Sequence, residues 1–295
     1  MEHLGEAARK AMDLSNEERI LKIRNPRWIG YTRARSILDK LDELLVHPKT
    51  HRMPNLLIVG STNNGKTMIV NRFVNKHPAY DNLGGASITI PVMAVQAPPV
   101  PDEARFYNVV LEALFAPYKP QDHVSKKQMQ VISILRRVNL KILIIDEIHH
   151  ILAGHMEKQR QFLNVIKYLG NELQIPIVAV GTKDAFRALQ TDPQLSNRFE
   201  PVILPKWDIG EEYLKLLASF ERMLPLKEPS NLTDISLASK LLSMSEGTIG
   251  ELSKLLNEAA ICAIRSKKEC ITKRLLDTMD WVAPSERKRQ ADRFV

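Results

Sequence analysis

Residues Asn55–Val59 form a short apolar run, followed at once by Gly60-Ser-Thr-Asn-Asn-Gly65-Lys66-Thr67 and then by the helix-forming stretch MIVNRFV. G-x-x-x-x-G-K-[ST] between a strand and a helix is a phosphate-binding loop, and few folds can supply that context. Its glycines let the backbone wrap until N–H groups converge on phosphate oxygens, and the helix N-terminus adds positive potential. In that arrangement Gly60, Ser61, Thr62, Asn63, Asn64, Gly65 and Met68 line a nucleotide. Lys66 reaches the terminal phosphates and Thr67 offers its hydroxyl to magnesium. The expected ligands are ATP and Mg2+.

A second apolar run, Ile142–Ile145, ends in Asp146-Glu147. If it is a parallel core strand, both carboxylates stand at the carboxyl edge of the sheet, where ligands of such sheets bind. Asp146 is then placed to orient hydrated magnesium, and Glu147 either polarises an attacking water or merely caps the following helix. His149, His150 and His155 lie nearby. They lack the i, i+4 spacing of a helical zinc site and read as surface or interface residues.

Further strand-like runs occur at Ala86–Val95, Ile175–Val180 and Val202–Leu204, with helical patterns after most strands. That alternation predicts an α/β fold: a parallel sheet with helices on both faces. Thr32–Val46 carries apolar residues at helical spacing, and after Trp207 only helices are expected, at Glu211–Met223, Asp234–Ser243, Thr248–Ile264 and Thr272–Trp281. The expected organisation is an N-terminal arm over 1–30 with Ser15 as an N-cap, a nucleotide-binding domain over 31–207, a small helical lid over 208–282 and a basic, solvated tail over 283–295.

Lys plus Arg number 42 against 34 Asp plus Glu, a formal charge of +8, which favours a polyanionic partner over none. Two cysteines make neither a disulfide framework nor a zinc pattern, in keeping with a reducing cytoplasm. No apolar run reaches the length of a membrane span, and the N-terminus carries acids among its apolar residues, unlike a signal peptide.

The stretches NPRWIGYTRA, RMPNLLIVGSTNNGKT, ILIIDEIHHIL, VAVGTKDAFRAL, LSNRFEPVILPKW and EGTIGELSKLLNEAAICAI, all between residues 17 and 265, resemble TniB/TnsC, the AAA+ transposition regulators of mercury-resistance-type and CRISPR-associated transposons. The resemblance implies an AAA+ P-loop ATPase that binds double-stranded DNA, assembles around it as a homo-oligomeric ring or helical filament, and recruits a transposase and a TniQ-type targeting protein. It also implies roles for single residues. Thr182, after the strand IPIVAV, is either the sensor of the terminal phosphate or a helix N-cap. Arg198 is either an arginine finger for a neighbouring subunit or a surface ion-pair residue. Tyr31 or Trp28 is either part of the adenine pocket or a packing anchor. In the basic stretch from Tyr118 to Arg137, the residues Lys119, Lys127 and Arg137 are candidates for phosphate contacts, against a solvated helix face.

One departure stands out. Where many AAA+ proteins carry a sensor-2 arginine this chain has Glu251; either Lys254, one turn later, substitutes for it, or nothing replaces that charge and turnover is slow or governed by the neighbouring subunit and the transposase. The other readings of the same motifs are a replication-initiator or helicase-loader-like ATPase and a nucleotide-gated protein scaffold with little hydrolysis. The residues after Trp281 are too few for the winged helix that the first of these would want, and Glu147 argues against the second.

Overall fold

The computed structural model describes residues 2–82, 84, 87–190 and 197–294, and the chain divides into two compact units. Ala34–Thr62 and Lys66–Leu204 form one. The other comprises the residues up to Arg33, those from Pro205 onward, and the three loop residues Asn63–Gly65.

The first unit is built on five parallel strands: β1 (Asn55–Gly60), β2 (Val92–Gln96), β3 (Ile142–Asp146), β4 (Ile177–Gly181) and β5 (Phe199–Leu204), in the order β2-β3-β4-β1-β5. Strands β1 and β4 are buried along their whole length, which is why they read as unbroken apolar runs with no alternation. Leu57, Val59, Leu143, Ile145, Ile177 and Ala179 join one core with α5 (Glu103–Ala113), α6 (Val124–Arg137) and α7 (Met156–Leu173). Their strand neighbours Ile58, Ile144 and Val178 are buried too, and α4 (Lys66–Lys76) packs on the sheet with Ile69, Val70 and Phe73 inside. Helix α3 (Thr32–Leu45) keeps to its expected bounds within one residue, and α8 (Lys183–Gln190) follows β4.

Three strand starts differ from expectation by two residues or more, each near a proline. Pro91 and Pro176 delay β2 and β4, since proline has no N–H to give a ladder. The proposed start at Ala86 lies outside the described residues, and Thr89 instead makes an isolated antiparallel bridge to Tyr80. Strand β5 begins at Phe199, earlier than the sequence suggested, and runs through Pro201. Among the described residues it pairs only with β1, and an edge strand is where a proline is tolerated.

The second unit is helical: α1 (Glu6–Ala11), α2 (Asn16–Arg24), α9 (Glu211–Met223), α10 (Ile235–Ser245), α11 (Ile249–Arg265), α12 (Lys273–Thr278) and α13 (Pro284–Phe294). Leu216, Leu217, Leu241, Leu255, Leu256 and Ala259 form its centre. The residues expected as an arm over 1–30 contribute to this core, with Ile20 and Ile23 buried in it. Ser15 caps α2 as expected, in a reciprocal capping box with Glu18. Between these ends Arg19, 1% exposed, forks onto Glu269 at 2.5 and 3.0 Å and also donates to the carbonyl of Pro225. The tail is likewise ordered, as α13, with Arg287 docked on Glu251.

Burial pushes the Glu269 carboxyl up, but the hydrogen bonds from Arg19 and the Lys227 N–H outweigh it and hold the group below the ordinary glutamate range. A depressed carboxylate contributes stability above its unfolded pKa and loses it as pH falls through its folded value. Glu269→Gln, which strands a buried guanidinium, is expected to cost about 3 kcal/mol at neutral pH in chemical denaturation. The gap between variant and parent should shrink as pH drops below the ordinary glutamate range; a gap constant with pH would refute the charge-pair account.

Candidate nucleotide site

The loop from Gly60 to Thr67 takes the shape its composition allows. Asn63 and Gly65 have φ of 60° and 82°, the left-handed region that turns N–H groups inward, and Gly65 occupies it without a Cβ penalty. Lys66, only 6% exposed, folds its ammonium onto the carbonyls of Gly60 and Ser61 at 3.0 and 2.8 Å. Burial lowers the Lys66 pKa, opposed by the charges of Glu147 and Asp146. Inside the loop's tip, Asn64 donates to the carbonyl of Pro205 at 2.9 Å, and Asn63 donates to Glu251 at 3.0 Å.

Because β1 and β3 run parallel in one sheet, their carboxyl ends share an edge. There the Thr67 hydroxyl donates to Asp146 Oδ2 at 2.8 Å, bringing together the two oxygen ligands expected for magnesium. A hydroxyl and a carboxylate suit a hard cation. Glu147 follows in the left-handed region, φ 55°, with its N–H held by Asp146 Oδ1 at 2.7 Å and no capping bond from its side chain. The carboxylate is therefore not engaged as a helix cap.

The histidines do more than the i, i+4 rule suggested. The turn Ile148–Ala153 is a 3-10 helix, and it brings donor atoms of Glu147, His149 and His150 within 4.8 Å of one another. His149 Nδ1 lies 3.2 Å from Glu147 Oε2, out of line for a hydrogen bond, and His150 Nδ1 lies 3.3 Å from the carbonyl of Ala97. These three groups could hold a transition-metal ion. His155 is not among them.

Thr182 follows β4 at the same edge, half-buried, with its carbonyl accepting from Ala185 N–H at 3.1 Å. Arg198 stands at the opposite edge, at the amino end of β5, where its carbonyl accepts from Asn55 N–H at 3.0 Å and its guanidinium donates to Asn171 at 2.7 Å. The length of β1, about 3.3 Å per residue, separates it from Gly60, so it cannot serve the phosphate loop of its own chain. Leu195 and Ser196 of the same motif lie outside the described residues. Tyr31 packs its ring edge-on against Trp207, 5.1 Å between centroids, and burial pushes its phenol up to about 12. Met68 is 39% exposed on the first turn of α4.

Of the three candidate phosphate contacts, Lys119 and Arg137 are exposed. Lys127 is not: it is 2% exposed, donates to the carbonyl of Pro120 at 3.0 Å, and lies 5.5 Å from the Tyr118 ring centroid. Its place on the inner face of α6 overrides the basic pattern, because a cation so enclosed serves packing and not a solvent-borne polyanion. Arg136 pairs with Glu172. Lys254 faces Trp281, 5.9 Å from the ring centroid, and it is Arg287, read from sequence as part of a solvated run, that reaches Glu251. No local signal in the sequence links Arg287 to Glu251 or Arg19 to Glu269, each pair joined only by the fold.

Residues 19–209 match the family model of the bacterial TniB protein. Among solved structures, the chain is similar to the Aeropyrum pernix ORC1 protein in complex with DNA, at 17% identity and a TM-score of 0.62, over 92% of this chain and 69% of that one. It is also similar to the Aeropyrum pernix ORC2 protein in ADPNP-ADP complexes, at 15% identity and a TM-score of 0.58, over 86% and 69%. CDC6P from Pyrobaculum aerophilum gives 15% and 0.60, over 84% and 67%. The chain has the α/β P-loop fold of the AAA+ ATPases. Among the described residues, no helix is long and apolar enough to cross a membrane.

Replacing Lys127 by Ala removes a buried stem and leaves the Pro120 carbonyl without its donor. The expected loss is about 1–3 kcal/mol of stability, read as a lowered denaturation midpoint, with unchanged affinity for phosphate-bearing ligands once the variant is folded. A folded variant of full stability would contradict the buried role.

Proposed function

This chain belongs to the bacterial TniB family, and from that membership we propose that it is an ATP-hydrolysing, DNA-binding oligomer that marks target duplex for a transposase. In its ATP form it assembles on DNA as a ring or helical filament and recruits the transposase together with a TniQ-type targeting protein; hydrolysis releases the mark.

The observation that carries the enzymatic half is the contact of Thr67 with Asp146, with Glu147 next in the chain on the same sheet edge. Thr67 and Asp146 would hold Mg2+, which neutralises phosphate charge when bound. Lys66, pivoting from the carbonyls of Gly60 and Ser61, grips the terminal phosphates. Glu147, uncapped, orients the water and draws its proton, the step that separates a hydrolase from a passive binder. Thr182 at the neighbouring strand end senses the terminal phosphate, and Arg198 enters the site of an adjacent copy to offset transition-state charge.

The DNA half rests on the family, on the +8 formal charge, and on exposed Lys119 and Arg137. Contacts of that kind neutralise phosphates without reading bases, so affinity falls steeply with salt. The structural neighbours in complex with DNA lend the same fold to the idea and no more, at under a fifth identity.

Lys66→Ala should abolish nucleotide uptake in calorimetry and, with it, assembly on duplex seen by electron microscopy with a non-hydrolysable ATP analogue. Glu147→Gln should keep both while lowering turnover by about a hundredfold or more. Intact, folded protein that takes up no ATP, or that binds no duplex in any nucleotide state, would overturn the proposal.

A further inference from the structure

Glu251 lies on the first turn of α11, and its two carboxylate oxygens are divided between two ends of the chain. Oε1 accepts from the side chain of Asn63, a phosphate-loop residue, at 3.0 Å. Oε2 accepts from Arg287 of α13. The backbone tightens the first of these links: Gly250 N–H donates to the Asn63 carbonyl at 3.0 Å, and a Cβ at Gly250 would stand 1.9 Å from Asn63 Oδ1 and 2.7 Å from its carbonyl oxygen. The start of α11 is thus pressed against the loop with no side chain between. Glu251 is 13% exposed, so its charge is poorly screened by water.

Arg287 is held as firmly. Its Nε donates to the carbonyl of Val282 at 2.9 Å, and its guanidinium lies 5.3 Å from the Trp281 ring centroid. Trp281 in turn donates to the carbonyl of Met244, and Glu246 accepts from the Ser285 N–H that opens α13. These bonds fix the base of α13 so that a guanidinium sits on the carboxylate that is bonded to Asn63.

An uncompensated carboxylate bonded to a loop that must hold a polyanion would repel its ligand, and the repulsion is strong where water is excluded. We infer that Arg287 sets nucleotide affinity: by neutralising Glu251 from the C-terminal helix, it keeps the phosphate loop receptive to a triphosphate. It is a positioning and charge-compensating residue, not one that touches the reacting atoms. The inference rests on the loop being a nucleotide site, as proposed above.

The test is calorimetric titration of the full chain with a non-hydrolysable ATP analogue and Mg2+, on four proteins: parent, Arg287→Met, Glu251→Gln and the double variant, each first checked for a native thermal transition. Arg287→Met should weaken binding about tenfold, and the double variant should return to within about threefold of the parent. Glu251→Gln alone should bind at least as well as the parent. A merely structural role for Arg287 predicts no rescue, since the second change removes the remaining partner. Should Arg287→Met fail to fold, Glu251→Gln still decides: weaker binding by that variant overturns the inference. So does parent-like binding by Arg287→Met, or a double variant as weak as the single. Failure of the parent itself to bind would instead defeat the nucleotide reading on which the inference stands.

Discussion

Parallel pairing of β1, β3 and β4 is the constraint from which the site follows. Strands running the same way end on the same edge, so a glycine-rich loop, an acid pair and a threonine scattered over more than a hundred residues of sequence are delivered to one place. Nothing in any of these segments alone would bring Thr67 within 2.8 Å of Asp146. The sheet can do so because its strands are sealed on both faces, which fixes their register: a slip by one residue would put Val59 and Ile145 on the face that Ile58 and Ile144 now fill and would displace the motif that each strand carries.

The local conformations at that edge are costly ones. Asn63 and Glu147 both occupy the left-handed region as non-glycine residues. Each is held by a bond to its surroundings, Asn63 through Glu251 and Gly250, Glu147 through the carboxylate of the residue before it. Rigidity of this kind spares the ligand the work of ordering the site, since the groups that must meet it are already placed.

The sheet, the helical unit and the phosphate loop were legible because each is written in contiguous residues: an apolar run, a 3.6-residue period, a spacing of glycines. The bounds of α9 and the cap at Ser15 needed nothing more. What sequence reading missed was written across the chain. Lys127 looks like its basic neighbours until α6 is rotated against its sheet, when it proves to be an inward residue. The first thirty residues look polar, yet their few apolar positions and one arginine complete a core whose other residues lie two hundred positions away. The closeness of Glu147, His149 and His150 is set by a 3-10 turn, which a spacing rule made for α-helices does not describe. In each case the deciding partner is remote, and one-dimensional patterns carry no record of it.

Pro201 has an effect beyond its own strand. It sits on β5, which among the described residues neighbours β1 alone, beside Glu200, which pairs with Lys40. The free flank of that strand therefore offers an interrupted row of donors and a charged pair at its rim, a poor template for another polypeptide to zip onto. Backbone pairing of one copy's edge onto another's is thereby disfavoured, and with it the continuous ladders that lead to irreversible aggregation.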